Sequence, residues 1–345
     1  MAPDLLEVAL RRSRRLHRCA ALLALALAML APSAEADDEL FHDKLISLGT
    51  ASLSGTFYPL GGKLCELVNR DRKLSSLRCV TYRSPGSDYN TKAVVYGDLT
   101  IGMTRSDIAY EDFTSHSGVD FYGGTLRAVM SLYPMPVMVI ASRASAIRDL
   151  SELPGHSFNL GNRGSGQRSI ADMLLRQLKL DPAALPKTTE LNTTAMGDAF
   201  CAGDIDVIVE ALGNPAPFYR RMIEECDGRI LSMPPAMIDA MLAANPQLER
   251  MTIPGGVYAE NPEPIASVGY KALLVASTAT SGESIRRFLG SVLGRLPELR
   301  AANPALANLD PQQMFSDGVT IPLHEGVKLY LTQTQQAPNV FSSAK

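Results

Sequence analysis

Four times along this chain a short apolar, β-branched run ends in a loop rich in Gly, Ser, Thr, Asn or Asp, and a helical pattern follows at once. Residues 45–49 (LISLG) lead into TASLSGTFYP, 99–103 (LTIGM) into TRSDIAY, 157–161 (SFNLG) into NRGSGQR, and 206–210 (DVIVE) into ALGNPAPF. Strands that alternate with helices specify an α/β architecture with a largely parallel sheet. In such open sheets ligands bind outside the carboxyl ends of the strands, where the first turn of each helix presents unpaired N–H groups. Four polar loops at that end mark one face of the fold as the functional one.

Two of these strands share a lead-in. Tyr96 to Met103 reads YGDLTIGM and Ala202 to Val209 reads AGDIDVIV, each a Gly-Asp turn between a helix and a strand. The two halves of the chain are thus variations on one plan. Residues 131–143 (SLYPMPVMVIASR) and 264–277 (PIASVGYKALLVAS) are extended apolar stretches without turn signals, suited to a pair of crossing strands that join two lobes. At 345 residues and 46% hydrophobic, the chain can give each lobe a core of its own. Helical stretches follow Ser281, and a polar tail begins at Thr332.

The first 36 residues are organised differently. The basic segment RRSRRLHR (residues 11–18) precedes an apolar run over residues 19–31 and an A-x-A site at Ala34-Glu35-Ala36. That run is shorter than the ~20 residues of a spanning helix, so residues 1–36 read as a secretory signal peptide cleaved before Asp37, and the mature protein as periplasmic. Removing its five arginines and three acids leaves 28 basic against 33 acidic side chains, a net of −5. A mildly acidic chain without a basic cluster argues against nucleic acid or an anionic membrane as partner. Four cysteines remain after export, and they allow three pairings. Locality favours Cys65 with Cys79 and Cys201 with Cys226, each pair lying within one helix-to-strand segment.

The loops fail the common tests for chemistry. Residues 161–168 (GNRGSGQR) lack the Lys of a phosphate-binding G-x-x-x-x-G-K-[ST] loop, and Arg163 stands where a G-x-S-x-G elbow around Ser165 needs Gly. His42, His116, His156 and His324 are widely separated, with no metal-ligand spacing, so neither a metal nor another cofactor is expected. Anion binding remains. Gly164 and Gly166 let backbone approach a ligand, and Ser165, Gln167 and Arg168 fall in the first turn of a helix. A cation at a helix N-terminus opposes the macrodipole, so Arg168 there calls for a negative partner opposite.

Seven stretches, in order, carry a family resemblance: Gly49 to Asn69, Arg105 to Phe113, Leu126 to Ala141, Gly161 to Leu175, Gly213 to Pro217, Thr252 to Tyr258 and Val327 to Leu331. In them the chain resembles the TAXI family of solute-binding proteins, the extracytoplasmic receptors of TRAP transporters. The resemblance implies a type II periplasmic-binding-protein fold of two α/β lobes joined by crossing hinge strands. Lobe 1 would comprise residues 44–136 and 262–331, lobe 2 residues 137–261, and the tail residues 332–345. It implies a monomer that closes on a small carboxylate, glutamate or a dicarboxylate, and docks on a TRAP permease in the inner membrane. Carried over by position, the first-lobe ligand site is Thr50, Ser54, Gly55, Thr56 and Tyr58 with Ser106, Asp107 and Tyr110. The second lobe supplies Arg163, Gly164, Ser165, Gly166 and Arg168 with Asn214, Pro215 and Ala216, and Tyr133 lines the hinge.

Three departures from the family pattern stand out: Ser52 and Ser54 replace glycines, Arg105 stands where Gln is common, and Asn214 where His is common. Arg105 is expected to add a cation to the cleft and to select a more anionic ligand. Two other roles fit the same two-lobed plan, namely a receptor for an ATP-driven importer and a ligand-sensing partner of a membrane kinase. An enzyme is disfavoured, since no nucleophile, base or metal constellation is present.

Overall fold

The computed structural model describes residues 45–115, 123–259 and 261–336. Residues 1–36, expected to be a signal peptide cleaved before Asp37, and residues 337–345 of the expected tail lie outside the described residues.

Strand β1 (Leu45–Gly49) runs into helix α1 (Phe57–Arg70), strand β2 (Arg78–Tyr82), helix α2 (Ser87–Tyr96), strand β3 (Ile101–Arg105) and helix α3 (Ser106–Thr114). The long strand β4 (Leu126–Ser142) follows. Then the plan repeats, with β5 (Phe158–Asn159), α4 (Gly166–Gln177), β6 (Thr188–Thr189), α5 (Thr193–Cys201) and β7 (Val207–Ala211). After the short helix α6 (Pro217–Arg220) come β8 (Gly228–Leu231), α7 (Pro235–Ala244), β9 (Glu249–Ile253) and the second long strand β10 (Ile265–Ser277). Helices α8 (Gly282–Leu293), α9 (Leu296–Ala302) and α10 (Glu325–Gln336) complete the described chain. The last helix therefore continues four residues past Thr332, where polar sequence alone suggested a tail, because Val327 and Tyr330 anchor it in the core.

The sheet order is β2-β1-β3-β10-β4-β7-β5-β6. Each half has a parallel trio, β2-β1-β3 and β6-β5-β7, flanked by one crossing strand that runs antiparallel to it. The two Gly-Asp turns occupy matching places, with Gly97 at φ 86° and Gly203 at φ 80°, a left-handed conformation that costs glycine little. Strand β4 pairs with β10 as far as Pro136 and with β7 from Val137 onward. Proline cannot donate to a ladder, and the register of β10 against β4 slips beside Pro134. That irregularity sits where the chain passes from one half-sheet to the other.

Each half buries the apolar face of its helices. Helix α1 turns Leu60, Leu64, Cys65, Leu67 and Val68 inward, and α4 does the same with Ile170, Ala171, Leu174 and Leu175, the i, i+3, i+4 spacing of an amphipathic helix. Cys65 is bonded to Cys79 and Cys201 to Cys226, the local pairing, one bridge in each half.

Candidate functional site

A cavity of about 370 Å³ lies between the two half-sheets, at the carboxyl ends of their strands. Its first wall is built from Gly55, Thr56 and Phe57 at the start of α1, the segment 83–87 at the start of α2, and Arg105 at the end of β3. The second wall is built from Ser165, Gly166 and Gln167 at the start of α4, Asn192 and Thr193 at the start of α5, and residues 210–212 at the end of β7. Corresponding elements of the repeated plan thus face each other across one space.

Hydrogen bonds cross from wall to wall around this cavity. On one side Ser52 and Ser54 each place a hydroxyl 2.8 Å from Thr194 Oγ1, and the Thr194 N–H donates to Ser52 Oγ at 3.2 Å. These are the two serines that stand where the resembled pattern has glycines, and they give the first loop a grip on α5. On another side the Tyr89 N–H donates to Gly164 O and the Asn162 amide to Pro85 O, both at 3.2 Å.

The Arg105 guanidinium joins three parts of the molecule. It is 2% exposed, forks onto the Asp107 carboxylate, donates to Gly166 O, and donates to Ser169 Oγ at 2.8 Å. Its Cζ lies 3.9 Å from the centroid of the Tyr270 ring on β10, a cation–π contact. Burial works against its charge, but Asp107 and Tyr270 outweigh that, and the group is held above its ordinary range. Arg105 therefore lines the cleft with its charge already met by Asp107. Its spare donors hold the second wall, and the expected surplus cation is not there.

Glu210 is the buried acid of the cavity, 6% exposed. Burial pushes its carboxyl up to about 7, against hydrogen bonds from Thr193 Oγ1 at 2.9 Å and from the Ala211 N–H at 3.1 Å and the pull of Arg105. Beside it on β7, Val209 O accepts from Gln167 Nε2 at 3.0 Å, and Gln167 Oε1 is buried with no partner.

Of the residues carried over from the family pattern, Gly55, Thr56, Arg105, Ser165 and Gly166 come together on the cavity. Thr50 lies behind it, buried, with its hydroxyl on Tyr82 O and its carbonyl accepting from Asn90 and Ser84. Ser54 grips Thr194, Asp107 neutralises Arg105, and Ser106 accepts from the Lys271 N–H. Tyr58 is half-buried on the first turn of α1, Tyr110 is exposed on α3, and Gly164 meets α2. Tyr133 is buried on β4 against Gly213, whose missing side chain makes room for its ring. On either side of Pro215, the Ala216 N–H donates to the Tyr258 hydroxyl and that hydroxyl donates to Asn214 Oδ1, and Asn214 borders a different cavity beside Pro134 and Lys271.

Arg163 and Arg168 point elsewhere. Arg163 is 89% exposed and lies 3.5 Å from Glu190. Arg168 pairs with Glu190 at 2.7 Å and with Asp172, one helical turn on, at 3.2 Å. The negative partner that the helix dipole demands is supplied by the protein's own carboxylates.

Residue-by-residue reading missed Arg83, Gly86, Asn192, Thr193 and Glu210, and it placed Gln167 in the first turn of the helix without carrying it into the ligand site. Strand β2, RCVTY, is too mixed in polarity to announce itself, so the loop RSPG after it passed unnoticed as a fifth strand-end loop. The Asn-Thr-Thr before α5 is a helix-cap signal, and an acid ending the apolar run DVIVE was visible one residue before the loop it belongs to. Among the described residues no group of His, Cys, Asp and Glu could hold a metal ion, and no helix is long and apolar enough to cross a membrane.

Solved structures share this architecture at low identity. MatC from Rhodopseudomonas palustris, determined with bound malate, is 15% identical, with 86% of this chain and 98% of that one covered and a TM-score of 0.53. The periplasmic binding protein BugD is 12% identical over 87% and 97%, TM-score 0.51, and a protein of Bordetella bronchiseptica RB50 is 13% identical over 86% and 99%, TM-score 0.51. The fold is the two-lobed one of periplasmic binding proteins. With the NMT1-like family model matching residues 48–333, nearly all of the described chain, this protein belongs to the NMT1-like family.

Proposed function

We propose that the chain is an extracytoplasmic solute-binding protein of a TRAP-type transporter, exported by residues 1–36. It captures a small carboxylate by closing its lobes and delivers it to a membrane permease. Lobe 1 is residues 44–136 with 262–331, and lobe 2 is residues 137–261. The observation that carries the reading is a cavity at the strand ends whose walls come from different lobes and are already tied together by hydrogen bonds. A ligand in that space touches both lobes, and only such a ligand can shift a population toward closure. Two helices, α1 and α2, begin on the cavity with no side-chain cap, which leaves N–H donors for carboxylate oxygens beside Gly55, Thr56 and Gly86.

The test is a thermal-shift screen of the protein beginning at Asp37 with organic acids and amino acids. A ligand at 100 times its Kd is expected to stabilise the fold by about 2.7 kcal/mol and to be recovered chemically unchanged. Absence of a shift with every carboxylate defeats the ligand class. Uptake with a TRAP permease in vesicles that carry an ion gradient and no ATP separates this receptor from one serving an ATP-driven importer.

A further inference from the structure

The two walls of the cavity have opposite polarity. On the first wall α1 and α2 start uncapped, Arg83 contributes a cation, and Thr56 Oγ1 is buried without a hydrogen-bond partner. On the second wall both helix starts are already capped, α4 by Ser165 and α5 by Asn192. The groups left over there are acceptors. Glu210 is 6% exposed and Gln167 is 4% exposed. The Gln167 amide is oriented by its donation to Val209 O, which leaves Oε1 as the atom without a partner. A buried acceptor with no donor is costly, and Glu210, with one donor to each oxygen, keeps further acceptor capacity facing the cavity. Arg105 relieves Glu210 only in part, because the partner its guanidinium forks onto is Asp107.

Building on the reading of this cavity as a carboxylate site, we propose that Glu210 and Gln167 form a subsite for a protonated amine, so that the ligand is a small amine-bearing acid rather than a plain dicarboxylate. An ammonium offers three N–H donors and no acceptor, which matches one carboxylate and one amide oxygen. A second carboxylate in the same place would set like charges together and leave Gln167 Oε1 unmet. A ligand lying with its acid toward α1 and α2 and its amine toward β7 presents each lobe with its complement. Binding and closure are then one event.

The test uses matched acids on the protein beginning at Asp37, by titration calorimetry: glutamate with glutarate, aspartate with succinate, and 2-aminopentanoate with pentanoate. Butylamine serves as an amine without an acid. The amine-bearing member of the preferred pair is expected to bind about 10- to 100-fold more tightly, the worth of a hydrogen bond to a charged group. Glu210→Gln keeps the shape and is expected to reduce that ratio at least tenfold, weakening the amine-bearing acid and, for the diacids, removing the like charge that opposes the amine-free member. The melting temperature of the ligand-free variant shows that it is folded. Equal affinity within every pair, or a ratio unchanged in Glu210→Gln, overturns the subsite while the carboxylate reading stands. Binding of butylamine but of no acid keeps the subsite and overturns the carboxylate reading. No binding by any of the seven compounds overturns both.

Discussion

The unit β1-α1-β2-α2-β3 and the unit β5-α4-β6-α5-β7 share strand order, turn geometry and a disulfide apiece, yet they present opposite chemistry to the space between them. At the strand ends that reach the cavity, β3 brings Arg105 and β7 brings Glu210. The first unit leaves its helix starts open; the second closes them with Ser165 and Asn192. A repeated backbone plan fixes where polar groups gather, and only the side chains at the strand ends decide which of those groups stay available. The difference between the lobes therefore lies in what has been left unpaired rather than in architecture.

The largest break in the comparison is expected from Arg105→Ala, which removes the residue common to both walls. It leaves Asp107 as a buried carboxylate without its cation, and a loss of about 3–5 kcal/mol in urea unfolding is expected. A loss below about 1 kcal/mol would mean that water replaces the guanidinium. Next come the bridges. The Cys65–Cys79 loop spans 14 residues and the Cys201–Cys226 loop 25. On the loop-closure model, replacing each pair with alanine costs about 3 and about 3.5 kcal/mol respectively, so chemical denaturation should find the second-lobe variant slightly the weaker.

Glu210 separates the walls by pH. Burial raises its carboxyl to about 7 from an ordinary 4.5, so the folded protein holds a proton that the unfolded chain has released. The associated stability is full below about pH 4.5 and is lost as pH rises to about 7, by up to about 3 kcal/mol in ligand-free protein. Urea midpoints measured across that range should show the decline, and Glu210→Gln should lack this component. The smallest effect sharpens the contrast between helix starts. Asn192 Oδ1 accepts from the N–H groups of Thr194 and Ala195, both at 3.1 Å, so Asn192→Ala should cost about 1 kcal/mol. Thr56 caps nothing, so Thr56→Val should leave ligand-free stability within about 0.5 kcal/mol and act only on ligand affinity.

Much of this was legible in the chain itself. The extended apolar stretches 131–143 and 264–277 announced most of β4 and β10 despite Pro134, Pro136 and Gly269 within them, and the Gly-Asp turns announced the repeat. Glycines at strand ends placed Gly55, Ser165 and Gly166 near one another, since such loops converge on one edge of a sheet. Charge was harder to place. Arg168 is 22 residues from Glu190, and only the pairing of β5 with β6 brings that carboxylate alongside. In the same way Asp107, two residues from Arg105, looks in sequence like a second polar ligand rather than the group that answers the first. Local pattern reveals which residues are polar, whereas partners depend on contacts made across the fold.

The position of β10 has a consequence for how the molecule is made. It is the strand between β3 and β4 in the first half-sheet, yet it is translated after every strand of the second. A chain stopped at residue 261 holds all of β4 to β8 but a first lobe with an open gap at its centre, β3 and the start of β4 both unpaired on that side. The lobe that begins the polypeptide is thus the last to be finished.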